Sequence, residues 1–370
     1  WSGCLTAASR IRIRSRHTLG ARYLASMIRP DLLLHPTPKG LYCPPGDFYI
    51  DPVRGAVDRA VVTHGHADHA RSGHGSVLAT PDTIGIMAAR YGEEFTATRQ
   101  PLQFGEKHAV EINGVRVWFA PAGHILGSAQ VVVDWKGLRI VNTGDYKRRQ
   151  DPTCRRFEVV EGAHVFISEA TFGLPVFRHP DDRGEIRKLL DSVRLFPEKT
   201  HLVGVYSLGK AQRVIALLRE AGWDQPLYIH GALQKLCDHY ESVGVKLGPL
   251  EPATLDKGQR GQSEKFRGQI ILGPPSAFRD KWGQRFPDPI LAFASGWMSV
   301  RQRAKQGGVE LPLILSDHAD WDELTQTIRE VDPEELWITY GREDALVRWA
   351  ELEGRKARPL RLVGYEDEGD

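Results

Sequence analysis

Four side chains able to bind a metal ion fall within one short stretch, Thr63-His64-Gly65-His66-Ala67-Asp68-His69, directly after the apolar run Ala60 to Thr63. Imidazole combined with carboxylate suits borderline divalent cations such as zinc, and a loop leaving a strand can aim alternate side chains at two adjacent ions. Two further candidates follow apolar runs in the same way. His124 closes Pro121-Ala122-Gly123-His124 after Val115 to Ala120, and Asp145 closes Thr143-Gly144-Asp145 after Leu138 to Asn142. Alone, His124 reads as a surface or core histidine and Asp145 as a turn residue. With the cluster they complete a site.

The elements that must position these residues come in two rhythms. Across residues 40 to 170 short runs bounded by glycine, proline and asparagine dominate, namely Ala60–Thr63, Val115–Pro121, Gln130–Trp135, Leu138–Asn142 and Val165–Ser168; they read as strands, with one helix over Pro81–Tyr91. From about residue 180 strands and helices alternate. The pattern predicts helices over Arg183–Arg194, Gly209–Ala221 and Leu233–Ser242 and strands over His201–Tyr206 and Leu227–His230, the rhythm of a parallel α/β unit. Further strands are predicted at Gln269–Leu272, Ile290–Ala294, Leu313–Leu315 and Leu336–Thr339, and helices at Trp321–Val331 and Asp344–Glu353. The strand His201–Tyr206 runs into Ser207-Leu208-Gly209-Lys210, which opens a helix. Backbone N–H groups at such a turn can hold an anion, with Ser207 and Lys210 as side-chain donors, although an ordinary strand-to-helix connection looks much the same.

Composition narrows the function classes. A chain of 370 residues with 41% hydrophobic and 26% charged content can bury a large core. Its mean hydropathy of −0.35 and the lack of a long apolar run argue against a membrane protein. Cys4, Cys43, Cys154 and Cys237 form no C-x-x-C pair, which favours a reducing cytoplasm over a disulfide framework. A net charge of +2 announces no global nucleic-acid binder. Residues 1–26 carry Arg10, Arg12, Arg14, Arg16 and Arg22 without an acid; they read as a non-native or disordered extension, with domain text starting at Met27.

The ligand motifs, from Asp51 in Tyr49-Ile50-Asp51-Pro52 to Asp145, resemble the metallo-β-lactamase superfamily. The resemblance implies that His64, His66 and His124 hold one metal and Asp68 and His69 a second, that Asp145 bridges them, and that Asp51 supports the loop. Ser168-Glu169-Ala170-Thr171-Phe172-Gly173 and Leu315-Ser316-Asp317-His318-Ala319-Asp320, flanking the α/β segment, resemble the β-CASP nuclease subgroup. Together with Gly40-Leu41-Tyr42-Cys43-Pro44 and Ala294-Ser295-Gly296-Trp297-Met298, the text is similar to the bacterial ligase-associated DNA exonuclease family. This implies a four-layer αβ/βα fold over residues 27–178 and 296–370, with an inserted β-CASP domain over 179–295. The implied activity is metal-dependent exonucleolytic hydrolysis of DNA in repair, with an ATP-dependent DNA ligase and a helicase as partners. Asp68, Glu169 and His318 are the implied catalytic residues, His318 giving a proton to the leaving oxygen and Glu169 orienting it. Two divalent ions are expected, zinc or manganese. Many relatives place a histidine after the Leu336–Thr339 strand where this chain has Tyr340, so the second metal site is expected to be weak. RNA processing is the near rival. A small-molecule hydrolase, which needs neither Glu169 nor His318, and a silent nucleic-acid-binding subunit are the more distant ones.

Overall fold

Apolar side chains occupy both faces of the long strands between Val115 and Ala170 because their sheet is covered on both sides. The computed structural model describes residues 28–254, 262–286 and 288–362; the expected extension over residues 1–26 lies outside them. The first sheet runs in sequence order through β1 (His35–Thr37), β2 (Gly40–Cys43), β3 (Phe48–Ile50), β4 (Arg59–Val61), β5 (His74–Ala79) and β6 (Thr96–Pro101). It is antiparallel up to β3 and parallel from there on. Helix α1 (Pro81–Tyr91) starts where Thr80 Oγ1 accepts the Thr83 N–H, and it lays Ile84 and Met87 against Ala60, Val62, Val77 and Ala79.

Strands β7 (Val110–Ile112), β8 (Val115–Pro121), β9 (Ala129–Trp135), β10 (Leu138–Asn142) and β11 (Val165–Ala170) begin a second sheet. The chain then leaves it to build a third, wholly parallel one from β12 (His201–Gly204), β13 (Leu227–Ile229), β14 (Leu250–Pro252), β15 (Ile270–Gly273), β16 (Ile290–Ala294) and β17 (Leu311–Leu313). Helices α2 (Asp182–Leu195), α3 (Lys210–Glu220) and α4 (Gly231–Ser242) belong to this unit, with the short α5 (Pro275–Arg279) and α6 (Arg301–Gln306). After α7 (Trp321–Val331) the chain returns as β18 (Glu335–Gly341), which pairs in parallel with β11, then α8 (Glu343–Leu352) and β19 (Ala357–Pro359).

Alternation along β8 to β11 divides the core between two neighbours. Val117, Phe119, Val131, Val133, Ile140 and Ile167 face Leu41, Phe48, Ile50 and Val61 of the first sheet. Their sequence neighbours Trp118, Val132, Val141 and Phe166 pack with Leu324 and Ile328 of α7 and Leu346 of α8. The layers therefore run helix, sheet, sheet, helix, with the third sheet inserted between two strands that are neighbours in the second.

The last strand of the inserted sheet differs from the expected one. Leu311–Leu313 pairs with β16, and the Leu315 N–H bonds back to Leu313 O, so the chain is already turning where the apolar run Leu313–Leu315 suggested a strand. The third sheet thus extends past the expected boundary at residue 295.

Gly123 turns the chain between β8 and His124 at φ +76°, and a Cβ there would meet Lys147 O at 2.3 Å. Strain and overlap both fall on backbone. Gly123→Ala is expected to cost about 2 kcal/mol in urea unfolding; an unchanged midpoint would show that the turn yields.

Candidate metal centre

Every imidazole of the His64 to His124 set has its outer nitrogen pinned. His64 Nδ1 meets Thr63 Oγ1 at 3.0 Å, His69 Nδ1 meets Asp51 Oδ2 at 2.8 Å, His124 Nδ1 meets Asp317 O at 2.9 Å, and His66 Nε2 meets Leu208 O at 3.3 Å. Pinning one nitrogen sets the ring's orientation and aims the other inward. Asp51 does most of this work for the loop after β4, since its carboxylate also accepts the Thr63 N–H at 2.8 Å and the Thr63 hydroxyl at 2.7 Å.

The inward atoms converge on Asp145. Its Oδ2 lies 3.3 Å from His64 Nε2, 3.4 Å from His69 Nε2 and 3.8 Å from His124 Nε2, while His66 Nδ1 lies 3.0 Å from His124 Nε2. Two groups that could each hold a metal ion result, His64, His66, His124 and Asp145 in one and His64, Asp68 and His69 in the other, with the potential ligand atoms of each within 4.8 Å of one another. The residues fit a divalent cation. Among the described residues Asp68 Oδ1 is buried without a hydrogen-bond partner and His64 Nε2 has only the Asp145 carboxylate at 3.3 Å, a cost that coordination would reduce. Burial lowers the His64 pKa to about 4 and holds His124 well below the ordinary histidine range, so both offer a neutral lone pair. Burial also opposes protonation of His69, but Asp145, Asp68 and Asp51 outweigh it and hold that imidazole well above its usual value.

A third group joins Asp145 to Glu169 and His318. Glu169, at the end of β11, is fully buried; its Oε1 accepts the Tyr146 N–H at 2.6 Å and its Oε2 lies 3.0 Å from His318 Nδ1. Burial pushes the Glu169 carboxyl up, against the pull of the neighbouring His318. His318 is carried by the loop before α7, whose capping box, Asp320 with Glu323, fixes the helix start. Asp145 and His318 line a cavity of about 280 Å³ together with Arg90, Thr171, Tyr206, Ser207 and Tyr340, while Glu169 stands behind His318. Tyr340 is the extra residue of a β-bulge against Glu169 and Ala170, in left-handed backbone at φ +54°, and its ring centroid stands 5.1 Å from that of His69.

The expected anion turn is not built as such. Lys210 is fully buried, its Nζ donating to Leu315 O at 3.0 Å and lying 3.3 Å from Asp317 Oδ2. The Gly209 N–H donates to Gln212 Oε1, the Lys210 N–H to Leu208 O and the Ala211 N–H to Tyr206 O, so these three donors are already used. Of the expected anion-binding residues Ser207, Gly209 and Lys210, Ser207 alone lines the cavity. The basic run after Asp145 is likewise engaged, Lys147 with Glu323 and His318 O, Arg148 with Glu330, Arg149 with Asp182 and Asp320. The cation that does line the cavity, Arg90, escaped sequence reasoning because an arginine in the last turn of a helix looks like an ordinary complement to the dipole.

Tyr340→His would set an imidazole on the bulge beside His69. Metal content per chain at limiting Zn²⁺ is expected to rise, and an unchanged content would mean that the tyrosine does not limit the second site.

Residues 54–204 match the family described as the Metallo-beta-lactamase superfamily. Among curated relatives, the chain is 27% identical over 327 residues to a protein named "Probable DNA ligase" from Opitutus terrae, a match covering 84% of this chain and 30% of that protein. It is 27% identical to "Cleavage and polyadenylation specificity factor subunit 3-I" of Arabidopsis thaliana, over 56% of this chain and 34% of that protein, and 29% identical to "Endoribonuclease YSH1" of Gibberella zeae, over 62% and 30%. The chain thus spans about a third of the length of these relatives. A solved structure from Enterococcus faecalis V583, titled as a protein of unknown function, shares the fold at a TM-score of 0.52 and 11% identity, covering 77% of this chain and 75% of that one. Ligand loops at strand ends, the helix–sheet–sheet–helix layering and the family match lead to one conclusion: the chain carries a metallo-β-lactamase superfamily domain, with an α/β unit inserted in it.

Proposed function

We propose that this protein is a metal-dependent phosphodiesterase that shortens DNA from an end, working alongside a ligase. The observation that carries this reading is His318, held by the buried Glu169 at the edge of the metal centre and lining one cavity with Arg90. Hydrolysis of a phosphodiester needs charge neutralisation at the phosphoryl oxygens, an activated water and a proton for the leaving alkoxide. Divalent cations held by the ligand sets, zinc or manganese, would supply the first two. With Nδ1–H donating to the Glu169 carboxylate, His318 in its imidazolium form would have a second proton on Nε2 to give to the leaving oxygen, and a β-lactam or thioester hydrolase has less need of such a donor. Arg90, one donor of which bonds Gly65 O in the metal loop, takes the anion-binding role that Lys210 does not fill. A match over most of this chain to one portion of a protein named as a probable DNA ligase supports an association with ligation; the helicase partner rests on family resemblance. The unbridged Cys43, Cys154 and Cys237 suit a reducing cytoplasm, and no described helix is long and apolar enough to cross a membrane. The relatives named for cleavage and polyadenylation and as an endoribonuclease favour a second reading, hydrolysis of RNA.

Matched single-stranded DNA and RNA, labelled at either end and digested with Zn²⁺ or Mn²⁺, separate these readings. End-dependent DNA shortening is expected. RNA-only cutting would replace it with the second reading, and inert oligonucleotides with bound metal would sink both.

His318→Ala is expected to lower kcat by roughly 10²–10⁴-fold with metal content retained, the usual worth of a positioned proton donor. Near wild-type kcat would remove His318 from the chemistry. Arg90→Ala should raise KM about tenfold and reduce the salt dependence of binding by about one phosphate contact; an unaltered KM and salt slope would take Arg90 out of the phosphate path.

A further inference from the structure

Asp317 stands between two functional groups: its carbonyl receives His124 Nδ1 at 2.9 Å, and His318 follows it in the chain. Its carboxylate is gripped from the inserted unit. Arg213 Nη1 lies 3.2 Å from Asp317 Oδ1 and donates to Ser316 O at 2.7 Å; Lys210 Nζ lies 3.3 Å from Asp317 Oδ2 and donates to Leu315 O at 3.0 Å. Two cations from the first turn of α3 thus hold three consecutive residues of the loop that carries His318. Arg213 is itself fully buried, with Asp182 hydrogen-bonded to its Nη2 and Asp151 Oδ2 3.8 Å from its Nε. Directly before α3, Leu208 O meets the outer nitrogen of His66 at 3.3 Å. The same short segment therefore reaches two of the four ligand histidines from outside, His66 through Leu208 and His124 through Asp317.

We propose that Lys210 and Arg213 are positioning residues of the metal centre, so that seating of the inserted unit completes the His64, His66 and His124 site. The inference rests on the metal-binding reading of that site. Groups that orient a ligand imidazole commonly change metal affinity by 10–100-fold, whereas a purely structural ion cluster would change stability alone. Arg219 supplies the comparison. It also lies on α3, but its guanidinium bonds Leu247 O, Trp223 O, Gln225 O and Pro249 O, all within the inserted unit and away from the 315–317 loop.

The test is competition for Zn²⁺ between the full-length apo-protein and a chromogenic chelator, for wild type, Arg213→Lys, Lys210→Met and Arg219→Ala, with Tm measured for each. Co²⁺ absorption spectra report the ligand geometry. Arg213→Lys keeps the charge and Lys210→Met keeps the volume, so a folding defect in one leaves the other to decide. Zn²⁺ affinity about tenfold or more below wild type is expected for both, with altered Co²⁺ bands, while Arg219→Ala loses Tm but keeps wild-type affinity and spectrum. Wild-type affinity in Arg213→Lys and Lys210→Met would overturn the inference alone, as would an equal loss of affinity in Arg219→Ala at matched Tm. A wild-type protein that takes up no Zn²⁺ would overturn it together with the metal-centre reading.

Discussion

The structure depends on keeping several imidazoles and carboxylates together in a place that water barely reaches. Asp145 Oδ2 lies within 3.3 to 3.8 Å of three histidine nitrogens, and His64, His69 and His124 are all buried. Such a cluster is unfavourable to assemble unless each ring has a partner on its outer side and a positive charge can sit on its inner side. The outer partners explain much of the surrounding architecture, since Thr63 and Asp51 come from the ends of neighbouring strands of the first sheet, and Leu208 and Asp317 come from either end of the inserted unit's connections.

Strand ends supply the inner groups for a geometric reason. The second sheet is packed on both faces, so its side chains in mid-strand are committed to the core, and polar groups can be displayed only where the strands stop. His124 follows β8, Asp145 follows β10 and Glu169 ends β11. β18 adds Tyr340 through a bulge, beside the same cavity. Inserting the third sheet between β11 and β18 places its loops over those ends and makes a cleft between two units, the inserted unit's core continuing onto Ile86, Ile125 and Leu126 of the other.

The candidate ligands that the fold brings together were legible because His64 to His69 is dense in donors and because His124 and Asp145 stand where apolar runs end. Long, strongly patterned elements were equally clear: Val115–Pro121, Leu138–Asn142, Ile290–Ala294, Pro81–Tyr91 and Trp321–Val331 match the structure at both ends. Three-residue strands such as β1, β7 and β19 carry too little alternation to be seen. Lys210 shows the limit most clearly. A lysine after a glycine turn looks like an anion donor, but whether its ammonium faces a cleft or a carboxylate depends on Asp317, more than a hundred residues away in the chain. Arg90 fails in the opposite direction, looking ordinary on its helix while the fold sets it beside the metal loop.

The most direct test of the account is a metal titration read by cleavage. Apo-protein titrated with Zn²⁺ or Mn²⁺, with bound metal and hydrolysis of end-labelled DNA and RNA followed in the same samples, should show no cutting without metal and cutting that rises with occupancy. Hydrolysis independent of bound metal, or a fully loaded protein that cuts neither polymer, would contradict it.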